Sequence, residues 1–140
     1  MPLTLKRMQP GDEALFQRVA PDVFDEPIRA ELLAAYLREP GHIMVLAFEG
    51  DLVVGQCAGV LHRHPDKTIE LYVDEVGTAA THLRRGIARL MMDELFAWGR
   101  ELGCEEAWLG TETDNEPAKS LYRRYRPTED ETNQYFLFHL

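Results

Sequence analysis

One stretch, Glu70 to Leu90 (ELYVDEVGTAATHLRRGIARL), restricts the folds open to this chain more than any other. It begins with Leu71, Tyr72, Val73 and Val76, which are large and apolar, aromatic or β-branched and therefore suit a strand. Gly77-Thr78-Ala79-Ala80 then interrupts any regular strand. From Ile87 onward apolar residues fall at 87, 90, 91, 95, 98 and 102, which is helical spacing. The reading is strand, tight loop, helix, with Gly86 at the helix mouth. A helix N-terminus offers unpaired N–H groups and the positive end of the macrodipole, so it can cradle a phosphate. A glycine at such a junction also serves packing alone, and on this stretch by itself both readings stand.

The rest of the chain frames that unit. Leu3 to Met8 is an expected first strand, and Asp12 an expected cap for a helix from Glu13 to about Ala20. A second helix carries Ile28, Leu32, Leu33, Tyr36 and Leu37 on one face and ends at Pro40-Gly41. The unbroken apolar run Ile43–Phe48 predicts a strand covered on both faces. Glu49-Gly50-Asp51 turns it into a returning strand, Leu52–Leu61, and a second turn at His64–Lys67 leads into a central strand, Thr68 to about Val76. The helix over about Arg85–Leu102 stops at Gly103, then come a short strand Ala107–Thr111, a helix capped by Asn115, and a last strand Gln134–His139. The order β-α-α-β-β-β-α-β-α-β predicts one α/β (α+β) domain over residues 1–140. Tight turns make its sheet mixed and mostly antiparallel, with helices on both faces.

Composition excludes several classes. The net charge of −9 argues against nucleic acid or an anionic membrane as partner and favours a cationic substrate or none. No apolar run approaches a membrane span and MPLTLKRM lacks the core of a signal peptide, so a cytoplasmic location is expected. Cys57 and Cys104 have no metal-site spacing and read as free thiols. His62 and His64 form an H-x-H, but no third ligand stands at a telling spacing, so no metal is expected.

Asn115, 29 residues beyond Gly86, opens the segment Asn115-Glu116-Pro117-Ala118-Lys119-Ser120-Leu121-Tyr122. Together with Arg84-Arg85-Gly86-Ile87-Ala88 it resembles the GNAT superfamily of acetyl-CoA-dependent N-acetyltransferases. That family joins a [Q/R]-x-x-G-x-[G/A] pyrophosphate loop to an N-x-x-A-x-x-L-Y helix. The resemblance runs through nearly the whole chain in element order. It implies acetyl-CoA as co-substrate and no metal. The amides of Arg84, Arg85, Gly86, Ile87, Ala88 and Arg89 would hold the pyrophosphate. Val76, Gly77 and Thr78 would pair with the pantetheine arm like an added strand, an amide there bonding the thioester carbonyl, and Asn115 would bond the same arm. Tyr122 matches the family tyrosine that protonates the leaving thiolate. Two positions depart from the pattern. Leu83 replaces the usual polar residue three before Gly86, which weakens cofactor binding, and Gly110 stands where many members carry a carboxylate, leaving Glu112 as the nearest substitute.

An ammonium acceptor must lose a proton before it attacks, so a base is needed. Strict alternation along the central strand puts Glu75 on the apolar side with Ile69, Leu71 and Val73, and Asp74 with Glu70 and Tyr72. Desolvation would raise the pKa of a carboxylate on the apolar side, so Glu75 is the first candidate and Asp74 the second; a bulge would reverse that parity. Cys57 has no basic partner, which favours direct transfer over an acetyl-cysteine.

Within the superfamily, YVDEVGTAATHLRRGIA looks most like the type I aminoglycoside 3-N-acetyltransferases, and the match thins toward RYRPTED. Acidic residues in the expected loops and element ends (Asp22, Asp25, Glu26, Asp114, Glu116, Glu129, Asp130 and Glu131) suit a small cationic amine as acceptor. A homodimer is compatible with the pattern. Two rival readings remain, a catalytically weak acyl-CoA-binding or regulatory module and a peptide N-terminal acetyltransferase.

Overall fold

The computed structural model describes residues 2–140, which resolve into two compact units, one ending at Leu109 and one starting at Gly110. The first unit holds a five-stranded sheet in the order β1-β2-β3-β4-β5, formed by Leu3–Arg7, His42–Glu49, Leu52–His62, Glu70–Thr78 and Glu106–Trp108. The first three pairings are antiparallel and β4–β5 is parallel, so the sheet is mixed and mostly antiparallel. Helices α1 (Ala30–Arg38) and α2 (Ile87–Glu101) flank it, and α3 (Glu116–Arg123) belongs to the second unit. Among the described residues no helix is long and apolar enough to cross a membrane.

The apolar run Ile43–Phe48 is buried throughout, as a strand covered on both faces requires. One cover is α2, which buries Ile87, Met91, Met92, Leu95 and Gly99 and leaves Leu90 and Leu102 exposed. Its close approach depends on missing side chains. A Cβ on Gly55 would stand 2.9 Å from the Met91 Cε, and one on Gly99 2.9 Å from the Leu71 Cδ2. Arg7, at the end of β1, fastens the same helix: it pairs with Glu94 at 2.7 Å and Glu101 at 2.5 Å, and lies 5.2 Å from the Trp98 ring centroid. The other face is covered by the segment before α1, where the Val23 carbonyl accepts from Gln56 Nε2 at 3.3 Å.

Two expected elements differ. The helix from Glu13 to Ala20 contracts to a 3-10 turn, Asp12–Phe16. Beyond it the backbone is engaged elsewhere, since Val53 donates to the Arg18 carbonyl at 2.8 Å and Ala20 to the Val53 carbonyl at 2.9 Å. Residues claimed by a sheet edge cannot close helical turns. The last strand, Gln134–His139, does not form: the segment lies in no strand, and Tyr135, Phe136 and Phe138 are exposed. A run of apolar and aromatic residues makes a strand only where a ladder partner is present.

The packing of α2 makes a direct prediction. A Cβ on Gly59 would lie 2.7 Å from Leu71 Cδ1, 3.4 Å from Ile43 Cγ1 and 3.5 Å from Leu95 Cδ2, all on buried side chains. Gly59→Val should therefore destabilise the protein by about 1–3 kcal/mol through overpacking. Urea unfolding should show a lower midpoint with an unchanged slope.

Candidate active site

β4 is not a regular strand. Ala58 pairs with Glu75 while the next residue, Gly59, pairs with Val73, so Asp74 has no partner across the ladder. The extra residue turns every later side chain to the opposite face. Leu71 meets Gly99 of α2, whereas a Cβ on Gly77 would come 2.2 Å from the Val23 carbonyl oxygen, on the other side of the sheet. Six residues of unbroken strand would have kept both on one face.

The expected parity is corrected accordingly. Glu75 does not share the α2 face with Leu71 and Val73; it lies with Gly77 on the face toward Val23. Its half-buried state is what the sequence required of a base, and it arises on the opposite surface. Desolvation raises the Glu75 pKa above its ordinary 4.5, and the charges of Asp74 and Asp25 add to the rise. Asp74 itself is exposed. Tyr36 of α1 faces the same charges: burial, then Asp74 and Glu75, push its phenol well above the ordinary range, so it stays protonated. Its hydroxyl donates to the Ile43 carbonyl at 3.4 Å and its ring stacks on His42. Asp22, Phe24, Asp25 and Glu26 border a neighbouring cleft of about 520 Å³. Asp25 was legible as a loop carboxylate; that Tyr36 feels the charges of Asp74 and Glu75 was not, because its helical spacing marked it only as core.

The pairing of β4 also explains Val76, Gly77 and Thr78. β5 matches only Glu70–Tyr72, so from Val73 to Thr78 the strand has a ladder partner on the β3 side alone. Its second row of backbone groups lies beyond the β5 ladder. Gly77 is required by the close passage of Val23, so the other backbone it admits belongs to this chain.

After β4 the backbone turns through Ala79 into the helix mouth. Gly86 is the N-cap of α2, in the left-handed region at φ 76°, with no side-chain cap. No atom lies within 4 Å of a Cβ built there, so it is backbone conformation rather than space that asks for glycine. Arg84 adopts φ 62°, and Arg84 and Arg85 are exposed beside the first turn formed by Ile87, Ala88 and Arg89. The first-turn amides of a helix have no intrahelical acceptor and here meet no capping side chain. Leu83 is likewise exposed. Glu49, which sequence reasoning missed, steadies this loop: its Oε2 is 3.3 Å from the buried His82 Nε2 and 3.9 Å from Arg85. No spacing rule joins a strand end to a loop more than thirty residues later.

In the second unit Asn115 caps α3, its Oδ1 accepting from the Ala118 amide at 3.2 Å. Tyr122 lies one turn further on, part-buried, and Arg123 holds Asp130 at 2.8 Å just beyond the helix. Gly110 and Glu112 are exposed. Cys57 in the sheet is fully buried, which pushes its thiol up to about 12 and removes the thiolate a nucleophile needs.

Residues 12–126 match the Acetyltransferase (GNAT) family, and the chain belongs to that family. It is thus an acetyl-CoA-dependent N-acetyltransferase. No curated protein sequence matches it. Among solved structures, it is similar to an aminoglycoside acetyltransferase from an uncultured soil metagenomic sample (TM-score 0.83, 22% identity, 100% of both chains covered). It is also similar to AAC(6')-Iy in complex with the bisubstrate analogue CoA-S-monomethyl-acetylneamine (TM-score 0.77, 14% identity, 100% of this chain and 99% of that one). A third is the ribosomal-protein-alanine N-acetyltransferase of Brucella melitensis biovar Abortus 2308 (TM-score 0.74, 17% identity, 99% of this chain and 100% of that one). These likenesses establish a common fold.

The raised Glu75 pKa has a consequence for stability. A carboxyl whose pKa is higher folded than unfolded binds its proton more tightly in the folded state. Its ionisation therefore costs stability as pH climbs through and above the ordinary 4.5. Glu75→Gln removes that cost together with the repulsion from Asp74 and Asp25. At pH 7 its Tm should exceed the parent's by roughly 1–4 °C, a size set by the partial exposure of the site. The gain should vanish below about pH 4, where both proteins are uncharged at this position.

Proposed function

We propose that this GNAT acetyltransferase, acting as a single domain over residues 1–140, moves the acetyl group of acetyl-CoA to a primary amine of a small polycationic acceptor. The transfer is direct. The observation that carries the reading is the carboxylate group Glu75, Asp74 and Asp25: it draws a cation and contains one member whose pKa is already raised. The neighbouring cleft, bordered by Asp22 and Glu26 as well, adds negative charge where a second or third amine of the acceptor can lie. Aminoglycosides are such acceptors, and two of the proteins of like fold are named for acting on them. The motif likeness to 3-N-acetyltransferases makes the 3-amino group one position to examine in the product; AAC(6')-Iy makes the 6'-amino group the other.

In the proposed mechanism the amides from Arg84 to Arg89 hold the pyrophosphate, while the open edge Val76–Thr78 receives the pantetheine arm, aided by Asn115. Glu75 takes a proton from the acceptor ammonium, with Asp74 as the second candidate. The freed nitrogen attacks the thioester carbonyl, a β4 amide stabilises the oxyanion, and the C–S bond breaks as the nitrogen gives up its second proton and the amide forms; that proton replaces the one Tyr122 donates, and the one on Glu75 passes to solvent. The departing thiolate takes its proton from Tyr122. A phenol with an ordinary pKa of about 10 is a weak acid toward a thiolate of about 8.5, so this donor assists rather than governs the step.

Glu75→Gln keeps shape but removes the base, so the rate at neutral pH should fall about 10²–10⁴-fold, recovering in part at higher pH as more amine arrives neutral. Tyr122→Phe should cost only about 10–10²-fold, and less with a more acidic leaving thiol. The experiment is thiol release across a panel of aminoglycosides, simple polyamines, monoamines and peptides. Activity on peptides alone would favour the N-terminal acetyltransferase reading, and cofactor binding without turnover the binding-module reading.

Acetyl-CoA should also stabilise the fold, raising Tm by several degrees at concentrations well above its Kd. Gly86→Val should abolish that shift, because a β-branched residue resists the left-handed backbone that opens the cradle. A variant that binds acetyl-CoA as well as the parent would remove the loop from the phosphate site.

A further inference from the structure

We propose that His62, His64 and Glu70 form a binding site for a divalent transition-metal ion of the zinc class, at the turn joining β3 to β4. The turn supplies the third ligand that the H-x-H lacks in sequence. His62 is the last residue of β3 and Glu70 the first of β4, and the two are register partners. The hairpin thus closes a gap of eight residues to a cross-strand contact, and His64 folds back over it from the turn. His64 Nε2 lies 3.1 Å from Glu70 Oε1 and His62 Nδ1 lies 3.9 Å from the same oxygen. One ligand atom from each of the three residues falls within 4.8 Å of the others.

Those spacings suit a metal. Bonds of about 2.0–2.2 Å in a tetrahedral site separate donor atoms by roughly 3.4 Å, so one contact is already close and the others need a modest inward turn of an imidazole. The turn is easily made by His62, whose side chain is 49% exposed; His64 and Glu70, at 18% and 22%, are held more firmly. Two imidazoles and one carboxylate select zinc, copper, nickel or cobalt over magnesium and calcium, which prefer all-oxygen shells. Three protein ligands leave at least one position for water. The site lies wholly within the first unit, and its residues take no part in the transfer chemistry above. A wall of aromatic rings adjoins it: Trp108 has its centroid 6.4 Å from His62 and 4.3 Å from Tyr72.

The full untagged chain, stripped with chelator and titrated with zinc chloride in a calorimeter, should bind one ion. Saturation should raise Tm by about 5–10 °C through mass action. His64→Ala and Glu70→Gln should each weaken binding at least tenfold, while His139→Ala should leave it unchanged. Apo Tm values close to the parent's would show that the variants remain folded. Two further readouts localise the ion. Co²⁺ should give d–d absorption that is lost in the His62→Ala/His64→Ala double variant, and Cu²⁺ should quench fluorescence that disappears in Trp108→Phe. Zinc binding that survives the double variant, or no binding at millimolar zinc, would overturn the proposal and leave the group a hydrogen-bonded hairpin clasp.

Discussion

The single unpaired residue in β4, Asp74, sets the terms for the rest of the site. Before it, β4 serves the core, with Leu71 and Val73 buried on the α2 side. After it, the same strand presents Glu75 and Gly77 to the segment around Val23. A strand cannot bury a hydrophobic face and offer a half-buried carboxylate beside a cleft on consecutive turns of the same pleat. One inserted residue resolves the conflict by exchanging faces partway along. The short reach of β5 completes the arrangement, since it stops pairing at Tyr72, just short of the bulge. The pleat reversal and the open edge thus begin at the same place, and both lead into the loop that ends at Gly86.

Much of the fold was legible because its signals are local. The run Ile43–Phe48 marked a strand covered on both sides, and Gly103 marked the end of α2, where it takes φ 98°. Gly86 marked the helix mouth. Asn115 marked a cap and performs it. The bulge was not legible, because nothing in YVDEVG distinguishes a paired Asp74 from an unpaired one; only the register with Ala58 and Gly59 does so. The side of the sheet on which Glu75 falls was therefore beyond alternation rules, although its desolvation was not. The segment Gln134–His139 failed for a related reason, since an aromatic-rich run gives strand propensity but cannot supply a neighbour. Glu49 and Glu70 were invisible as participants because each acts through a partner fixed by pairing rather than by spacing.

Glycine has two distinct uses in this chain. At Gly55, Gly59 and Gly99 it removes volume so that α2 and the sheet can approach, and the neighbouring atoms are buried side chains. At Gly86 nothing crowds the position and the requirement is conformational. Gly77 belongs with the first group, yet its neighbour is a main-chain carbonyl, which cannot swing aside as a methionine can. The carboxylate-bearing face of β4 is consequently tied to the segment before α1 by contact between two backbones.

The crowding of Asp25, Asp74 and Glu75 also bears on the speed of encounter. Like charges held on one surface of a protein with net charge −9 project an attractive field for cations well beyond contact distance. That field fades over a Debye length, about 8 Å at physiological ionic strength. For a polycationic acceptor, added electrolyte slows capture and leaves the bond-making step largely untouched, because the latter occurs among groups partly withdrawn from solvent. Any advantage such a field gives a triamine over a monoamine resides in association kinetics, and it narrows as the surrounding medium becomes more saline.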